Sequence, residues 1–315
     1  MADPLLIADI GGTNARFALL DEEGGIGPLH RVKLDGFTGV AESVRSFLDA
    51  RCGGQTPRGA VLAVAGPVSA NRARLTNRGW VVDGAEIAAA LGIGAVRVVN
   101  DFAAVSWSLP GLSGGDLFPL GGGGAGEPEE PMAVLGPGTG LGVGAFLPPD
   151  RALVTEGGHA TLAAYDEREA AVIGWLRARH GHVSAERVLS GMGLANLHAA
   201  LAAIDGAAVP ERDAAAVTRA ALSGECAVCR EALSMFCALL GGVAGDLALL
   251  YGARGGVFVA GGIPPRFPEF LAASAFRARF EAKGRFNEWL RPVPTRLVTR
   301  LDAAMLGLAA LARRL

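Results

Sequence analysis

The chain has 315 residues, of which 50% are hydrophobic and 19% charged, and its formal net charge is −2. That length predicts one large domain or, more readily, two medium ones with a sizeable core. The charge balance excludes a disordered chain and excludes nucleic-acid binding through bulk charge. The two lysines, Lys33 and Lys283, do not follow a glycine, so the Gly-Lys-Ser/Thr of a P-loop is absent.

The first hundred residues alternate between strand and helix patterns, which is typical of an α/β domain. Asp83, followed by Glu86, is an acidic variant of the capping box and predicts a helix start there. We predict strands over Leu5–Ile10, Ala15–Leu20, Ala60–Ala65 and Val96–Val99, and helices over Thr38–Ala50, from Asp83 to Leu91 and after Asn100-Asp101.

The segment from Pro110 to Pro131 is rich in glycine and proline, and we interpret it as a domain junction or an exposed loop. Within it, Gly121, Gly123 and Gly126 satisfy GxGxxG. We expect no strand before these glycines, and no helix follows at once, so they do not indicate a dinucleotide site.

The second half repeats the α/β pattern, so two such domains in tandem are predicted, with a cleft between them where ligands bind. Glu225–Tyr251 is long and apolar, as expected for a core helix. Further strands are predicted over Ala133–Leu135, Gly142–Leu147 and Gly256–Ala260, and further helices over Glu167–Arg179, Gly191–Ile204, Asp213–Leu222 and Ala303–Arg313.

The first candidate site is the segment Asp9-Ile10-Gly11-Gly12-Thr13-Asn14. Strand patterns stand on both sides of it, so it is a hairpin turn and not a Rossmann strand-to-helix turn. Two glycines in a tight turn let backbone N–H groups point at an anion, and Thr13 and Asn14 add donors. Asp9 could hold a water bound to magnesium. An ordinary Gly-Gly hairpin explains the same residues.

Two further glycine-rich segments could contact a nucleotide. In Gly136–Gly144 the glycines recur with period two, which bares one face of an extended backbone to phosphates. Gly255–Gly262 is a buried strand bracketed by glycine pairs, and a base could lie against Gly261-Gly262. For Gly136–Gly144 the alternative is a glycine-rich strand packed against another element. For Gly255–Gly262 the alternative is an ordinary buried strand, because many buried strands end in glycine.

Polar residues at two other places could bind and activate a substrate. Asn100-Asp101 ends a buried strand, where ligands bind in α/β sheets, and a carboxylate there can accept a hydroxyl proton. Helix capping is the alternative, and one residue can cap while the other works. Glu156, His159 and Glu186 suit a polyhydroxylated ligand, because carboxylates accept hydroxyl hydrogen bonds strongly. A metal site and scattered surface groups are the alternatives.

Cys226 and Cys229 form a lone CxxC pair, which is either half of a zinc site, a redox pair or two residues one turn apart near a helix start. No second CxxC and no nearby histidine in the sequence completes a ligand set. We therefore expect the helical interpretation and no bound zinc.

Taken in order, these motifs resemble those of the bacterial glucokinase family, within the superfamily of hexokinase and actin-like ATPases. The resemblance covers nearly the whole chain. It is carried by ADIGGTN (Ala8–Asn14), NDFAAV (Asn100–Val105), GTGLG (Gly138–Gly142), EGGH (Glu156–His159), HVSAERVLSG (His182–Gly191), GGVFVAGGI (Gly255–Ile263) and FEAKGRF (Phe280–Phe286).

The resemblance implies two actin-like (ribonuclease H-like) α/β domains around a cleft, a small one over 1–110 plus 300–315 and a large one over 111–299. It implies ATP-dependent phosphorylation of the glucose 6-hydroxyl. Asp101 would be the general base, and the sugar hydroxyls would be held by Asn100, Asp101, Glu156, His159 and Glu186. Phosphates, nucleotide and Mg²⁺ would be held by Asp9 (through water), Gly11, Gly12, Thr13, Asn14, Gly138, Thr139, Gly140, Gly261 and Gly262.

The resemblance also implies a homodimer with glucose and ATP as its ligands and with no nucleic-acid or membrane partner. Residues before Leu5 show no signal-peptide pattern, so we expect a cytoplasmic protein. A kinase for another hexose or an N-acetylated amino sugar shares every phosphate motif, and a catalytically silent sugar sensor would need no base at Asp101. Pro137 departs from the small residue expected in the second phosphate motif, because it lacks an N–H donor.

Overall fold

A computed structural model describes residues 4–53, 55–75 and 78–315, and its secondary structure is mixed α/β. The described chain groups into two compact units. The first unit comprises Met1–Leu112, Arg151–Val154 and Leu301–Leu315, and the second comprises Ser113–Asp150 and Thr155–Arg300.

The strands are β1 (Leu5–Ile10), β2 (Asn14–Leu20), β3 (His30–Lys33), β4 (Gly59–Val64), β5 (Val68–Ser69), β6 (Arg72–Arg74), β7 (Val81–Asp83), β8 (Ala95–Asn100), β9 (Leu117–Gly121), β10 (Met132–Pro137), β11 (Leu141–Leu147), β12 (Arg151–Thr155), β13 (Gly256–Val259) and β14 (Thr295–Val298). The helices are α1 (Val40–Arg51), α2 (Gly84–Leu91), α3 (Asp101–Ser108), α4 (Glu167–His180), α5 (Gly191–Asp205), α6 (Ala214–Ser223), α7 (Ala227–Tyr251), α8 (Pro268–Ala273), α9 (Phe276–Glu281), α10 (Asn287–Leu290) and α11 (Ala303–Ala312).

The sheet of the first unit has the strand order β3-β2-β1-β4-β8. Strands β1, β4 and β8 are parallel, whereas β1–β2 and β2–β3 are antiparallel. Alternate residues of β1 face opposite sides: Leu6 packs with α1 and α2, and Ile7 packs with α3 and α11. Because helices cover both faces, β1 is apolar along almost its whole length, as the sequence predicts.

The second sheet has the strand order β12-β11-β10-β13-β14-β9, and β10, β13 and β14 are parallel within it. The core of the second unit surrounds α7, which contacts α5, α6, α9 and β10. Among the described helices α7 alone is long and apolar enough to span a membrane, but 67% of its apolar stretch is buried within the chain. It is therefore a core helix, as its sequence predicts. Strands β5, β6 and β7 form a small antiparallel sheet.

The strands and helices predicted from the sequence are confirmed, with boundaries that differ by a few residues at most. Asp83 caps α2, because its carboxylate accepts hydrogen bonds from the N–H groups of Ala85 and Glu86 at 2.9 and 3.2 Å. The short elements β3, β5, β6, β7, β12, β14, α8, α9 and α10 were not predicted.

One expectation is wrong: the segment from Pro110 to Pro131 is not entirely loop, because it contains β9. Strand β9 pairs antiparallel with β14, which lies about 175 residues further along the chain, and Pro119 is tolerated because β9 is an edge strand. A strand therefore does lead into the GxGxxG glycines. The next element is strand β10 and not a helix, so the exclusion of a dinucleotide site stands.

Candidate active site

The predicted first phosphate motif forms the turn between β1 and β2. The N–H of Gly11 donates to the carbonyl of Asn14 at 3.0 Å and closes the turn, and Leu34 N–H donates to Thr13 O at 2.9 Å. Within the described residues the N–H groups of Gly12 and Thr13 have no such partner. Gly11 therefore shapes the turn, and the next two residues offer the N–H groups that an anion could accept from.

Asp9 lies on β1, on the same face as Ile7, and its carboxylate is partly buried. Burial raises the pKa of Asp9, and Arg16, whose Nη1 lies 3.3 Å from Oδ2, offsets that effect only in part. A buried carboxylate that one guanidinium does not fully compensate is a suitable partner for a cation. The residue thus fits Mg²⁺ held through water.

Asn100 is the last residue of β8 and the N-cap of α3. Its Oδ1 accepts from the N–H groups of Phe102 and Ala103 at 2.8 and 3.2 Å, and its Nδ2 donates to Gly66 O at 3.0 Å. Capping therefore occupies the amide oxygen, and one N–H of Nδ2 is left for a ligand within the described residues. Asp101 begins α3, is partly exposed, and has Oδ1 2.9 Å from the N–H of Phe102.

The strand order brings Asp9 and Asp101 to one edge of the first sheet. Ile10 pairs with Val64 of β4, and Val64 pairs with Asn100 of β8, so the carboxyl ends of three parallel strands meet there. Two strand spacings separate β1 from β8, which is about 10 Å. This edge, with the Gly11–Asn14 turn, is where α/β sheets bind ligands.

The second phosphate motif joins β10 to β11 in the second unit. Gly138 N–H donates to Gly140 O at 2.8 Å, and within the described residues the N–H groups of Thr139 and Gly140 have no partner. Pro137 ends β10 beyond Leu135, its last partner position with β13, so its missing N–H removes no ladder bond on that side. Pro137 is therefore compatible with the motif.

The glycine pair predicted to contact the base lies beside this turn. Gly261 has φ +86°, and a Cβ there would overlap the carbonyl of Pro137, so glycine is required. Ile263 N–H donates to the same carbonyl at 3.3 Å. A Cβ at Gly262 or Gly138 would meet open space, so both glycines leave bare backbone that a ligand could cover.

Glu186 lies between the second turn and His159. Its Oε2 accepts from Leu141 N–H at 2.9 Å, and its Oε1 lies 3.9 Å from His159 Nδ1, which is too long for a hydrogen bond. Glu156 is exposed and precedes the 3₁₀ turn Gly157–His159. A Cβ on Gly158 would overlap the carbonyl of Leu141, so the glycine lets this turn pack on β11.

Sequence reasoning missed two features that support these turns. Arg78 donates from Nε to the carbonyl of Gly12 and pairs with Asp35, so it holds the first turn in place. Gly191, the first residue of α5, donates to Gly138 O at 2.8 Å, which brings the positive end of the α5 dipole to the second turn. No local sequence signal marks either contact.

The expectation for the cysteine pair needs correction. Cys226 is the N-cap of α7 and Cys229 lies in its first turn, so the helical interpretation is confirmed. The statement that no histidine completes a ligand set is wrong, because α5 brings His198 to the two thiols. His198 lies 28 residues before Cys226, so its proximity to the pair could not be recognised from the sequence.

Comparison with solved structures defines the class. A ROK family glucokinase from Streptomyces griseus, solved in complex with glucose and AMPPNP, is 20% identical, covers 99% of both chains and has a TM-score of 0.66, which shows the fold alone. A glucokinase from an Antarctic psychrotroph is 40% identical over 100% of both chains, with a TM-score of 0.90. The fold is therefore that of the actin-like sugar kinases.

Sequence comparison is more specific. The family model described as Glucokinase matches residues 6–315. A glucokinase of Paramagnetospirillum magneticum is 46% identical over 318 residues, which cover 99% of this chain and 98% of that one. The chain belongs to the glucokinase family.

Proposed function

We propose that the chain, an enzyme of the glucokinase family, transfers the γ-phosphoryl group of ATP to the 6-hydroxyl of D-glucose. The observation that carries this proposal is a carboxylate, Asp101, at the same carboxyl edge of the sheet as a turn whose Gly12 and Thr13 N–H groups have no backbone partner among the described residues. Similarity over the full chain to glucokinases at 40–46% identity supports the choice of glucose.

Asp101 acts as the general base. It starts α3 immediately after the capping residue Asn100, so the cap and the base are separate side chains. The carboxylate accepts the proton of the 6-hydroxyl as that oxygen attacks the γ-phosphorus, and the phosphoryl bond to ADP breaks. The fixed end of β8 holds the short side chain in position.

The N–H groups of Gly12, Thr13, Thr139 and Gly140 donate to phosphate oxygens, while Gly11 and Gly138 close their turns. Gly261 and Gly262 provide a flat surface for the nucleoside, and Asn14 is placed for a further contact. Asp9 holds Mg²⁺ through water. When bound, that ion neutralises charge on the phosphates.

Glu156, His159 and Glu186 hold the sugar hydroxyls, with the remaining N–H of Asn100. Glu186 Oε2 is engaged by Leu141 N–H, so its Oε1 is the atom that a sugar hydroxyl would use. Because Oε1 faces His159, both side chains can contact neighbouring hydroxyls of one ring.

We also propose that the two compact units are the small and large domains expected from the sequence, that the protein is cytoplasmic, and that it is a homodimer. The cytoplasmic assignment agrees with the burial of α7, because this described helix, which is long and apolar enough to span a membrane, is a core helix.

Replacing Asp101 with Asn tests the reaction directly. We expect kcat with ATP and glucose to fall by about 10²–10⁴-fold, since the amide cannot accept the proton. Glucose affinity, followed by the fluorescence of Trp107 in α3, should change much less. Turnover within about tenfold of wild type would mean that another residue is the base.

Asp83→Asn is the matched control, because Asp83 also stands between a strand and a helix, where it caps α2 and pairs with Arg72 at 3.7 Å. Because Asn caps helices as well as Asp does, the kcat of Asp83→Asn should equal that of wild type. Wild type and Asp83→Asn are then assayed with glucose, other hexoses and N-acetylated amino sugars. A higher kcat/KM for any sugar other than glucose would contradict the proposed substrate.

A further inference from the structure

Three metal-ligating side chains that the proposed reaction does not use lie together in the second unit. They are His198 of α5, Cys226 at the N-cap of α7 and Cys229 in the first turn of α7. One ligand atom from each lies within 4.8 Å of the other two. Among the described residues, these three form the group of His, Cys, Asp or Glu side chains that lie close enough together to hold a metal ion.

Helix packing produces the cluster. Residues three apart in a first helical turn share a face, and the Sγ of Cys226 accepts from Cys229 N–H at 3.4 Å. His198 lies on the buried side of α5 with Leu194, Leu197 and Leu201, and α5 packs against α7. The imidazole therefore approaches the thiols from a second, rigid element.

The state of the His198 ring points to a ligand. The residue is 2% exposed, and its Nε2 has no hydrogen-bond partner among the described residues. A buried polar atom without a partner costs about 1–3 kcal/mol. An apolar residue would fill the space without that cost. A bound atom that accepts the Nε2 lone pair would therefore account for the presence of a histidine at this position.

The charge around the cluster is compatible with a divalent cation. Arg212, which lines the cavity beside His198, is paired with Glu225 at 3.0 Å. Two cysteine ligands, which lose their protons when a metal binds, would balance the charge of the ion.

We propose that His198, Cys226 and Cys229 bind one Zn²⁺. Two thiolates and one imidazole are zinc ligands, and in a tetrahedral site their atoms lie about 3.3–3.8 Å apart, which small side-chain rotations would reach from the present spacing. A cavity of about 630 Å³, lined by His198, Arg212 and Asn196 among others, adjoins the ring. Solvent from this cavity supplies the fourth ligand, and the bound ion ties α5 to the start of α7.

Cobalt titration of the full chain tests the site. The protein is treated with chelator, kept reduced and titrated with Co²⁺, which reports thiolate ligation by charge-transfer absorption. We expect saturation at about one Co²⁺ per chain and stoichiometric displacement by Zn²⁺, as for a site with cysteine ligands. The absence of charge-transfer absorption at one equivalent would overturn the proposal.

Variants assign the ligands. Cys226→Ser and His198→Asn should each weaken Co²⁺ binding by at least about tenfold, whereas Cys52→Ser, which removes a thiol of the first unit, should bind as wild type does. Undiminished binding by a Cys226→Ser/Cys229→Ser double variant would also overturn the proposal.

A measurement on the unaltered chain covers the case in which a variant fails to fold. Zn²⁺ should slow the alkylation of Cys226, the partly exposed cysteine of the pair, and mass spectrometry measures the labelling. Equal labelling with and without Zn²⁺ contradicts the site. The site would also be contradicted if Cys226 and Cys229 are isolated as a disulfide that a reductant does not open.

Discussion

Asp9 shows how a residue can cost stability and serve function. Its pKa is raised by burial, and Arg16 compensates only in part. For a carboxyl whose pKa is higher in the folded than in the unfolded state, the ionised form opposes folding. The penalty is absent below the unfolded pKa and is complete once the pH exceeds the folded pKa.

Asp9→Asn should therefore raise the melting temperature at pH 7, and the gain should shrink as the pH falls toward about 4, the ordinary range of an aspartate, and be absent below it. Activity should change in the opposite direction, with about a 10–100-fold loss in apparent Mg²⁺ affinity or turnover. Calorimetry at two pH values and a magnesium titration of the rate measure both effects. A variant less stable than wild type at pH 7 would contradict the argument.

Glu186 has two tasks, and two substitutions separate them. Gln keeps an oxygen for Leu141 N–H but removes the charge offered to the sugar, so Glu186→Gln should raise KM for glucose about tenfold and leave KM for ATP unchanged. Glu186→Ala also frees the end of the second phosphate turn, so both constants should rise. Steady-state kinetics distinguish the two, and equal effects of Gln on both constants would exclude a specific sugar contact.

At the scale of elements, the 3₁₀ turn at residues 157–159 depends on close packing against β11. Gly158→Ala should lower the free energy of unfolding by about 1–3 kcal/mol, because the added methyl overlaps the Leu141 carbonyl. Gly174→Ala is the control: it lies exposed in α4 with open space around its Cα, so it should stabilise by about 0.5–1 kcal/mol. Urea denaturation measures both, and equal stability of Gly158→Ala and wild type would refute the packing argument.

Elements with a strong local pattern could be predicted, and elements defined by distant partners could not. β1 and α7 are long apolar runs, so burial was evident from residue types alone. β9 is short and contains Pro119, and it exists because β14 pairs with it, which no local window contains.

The same distinction applies to the candidate site. The turns at Gly11–Asn14 and Gly138–Gly140 are local motifs, and their residues were identified from the sequence. The contact of Arg78 with Gly12 and the approach of His198 to the cysteines depend on tertiary packing. Sequence also could not reveal that Gly11 and Gly138 use their N–H groups within the turns.

For the molecule as a whole, the proposed homodimer is directly measurable. Sedimentation equilibrium at micromolar concentration should give a mass about twice the 32.1 kDa of one chain. The mass of a single chain, unchanged by glucose or ATP, would contradict the dimer without affecting the catalytic proposal, since Asp101→Asn tests that separately.

The first unit is assembled from distant parts of the chain, and this determines the order in which its elements can pack during translation. Helix α11 packs on α3 and on the face of β1 that carries Leu5 and Ile7, yet it is translated about 200 residues after α3. At about 5–20 residues per second, that is a delay of roughly 10–40 s. During this interval the nascent sheet lacks α11, one of the two helices that cover this apolar face, so the packing of the first unit is completed only after the second unit has been translated.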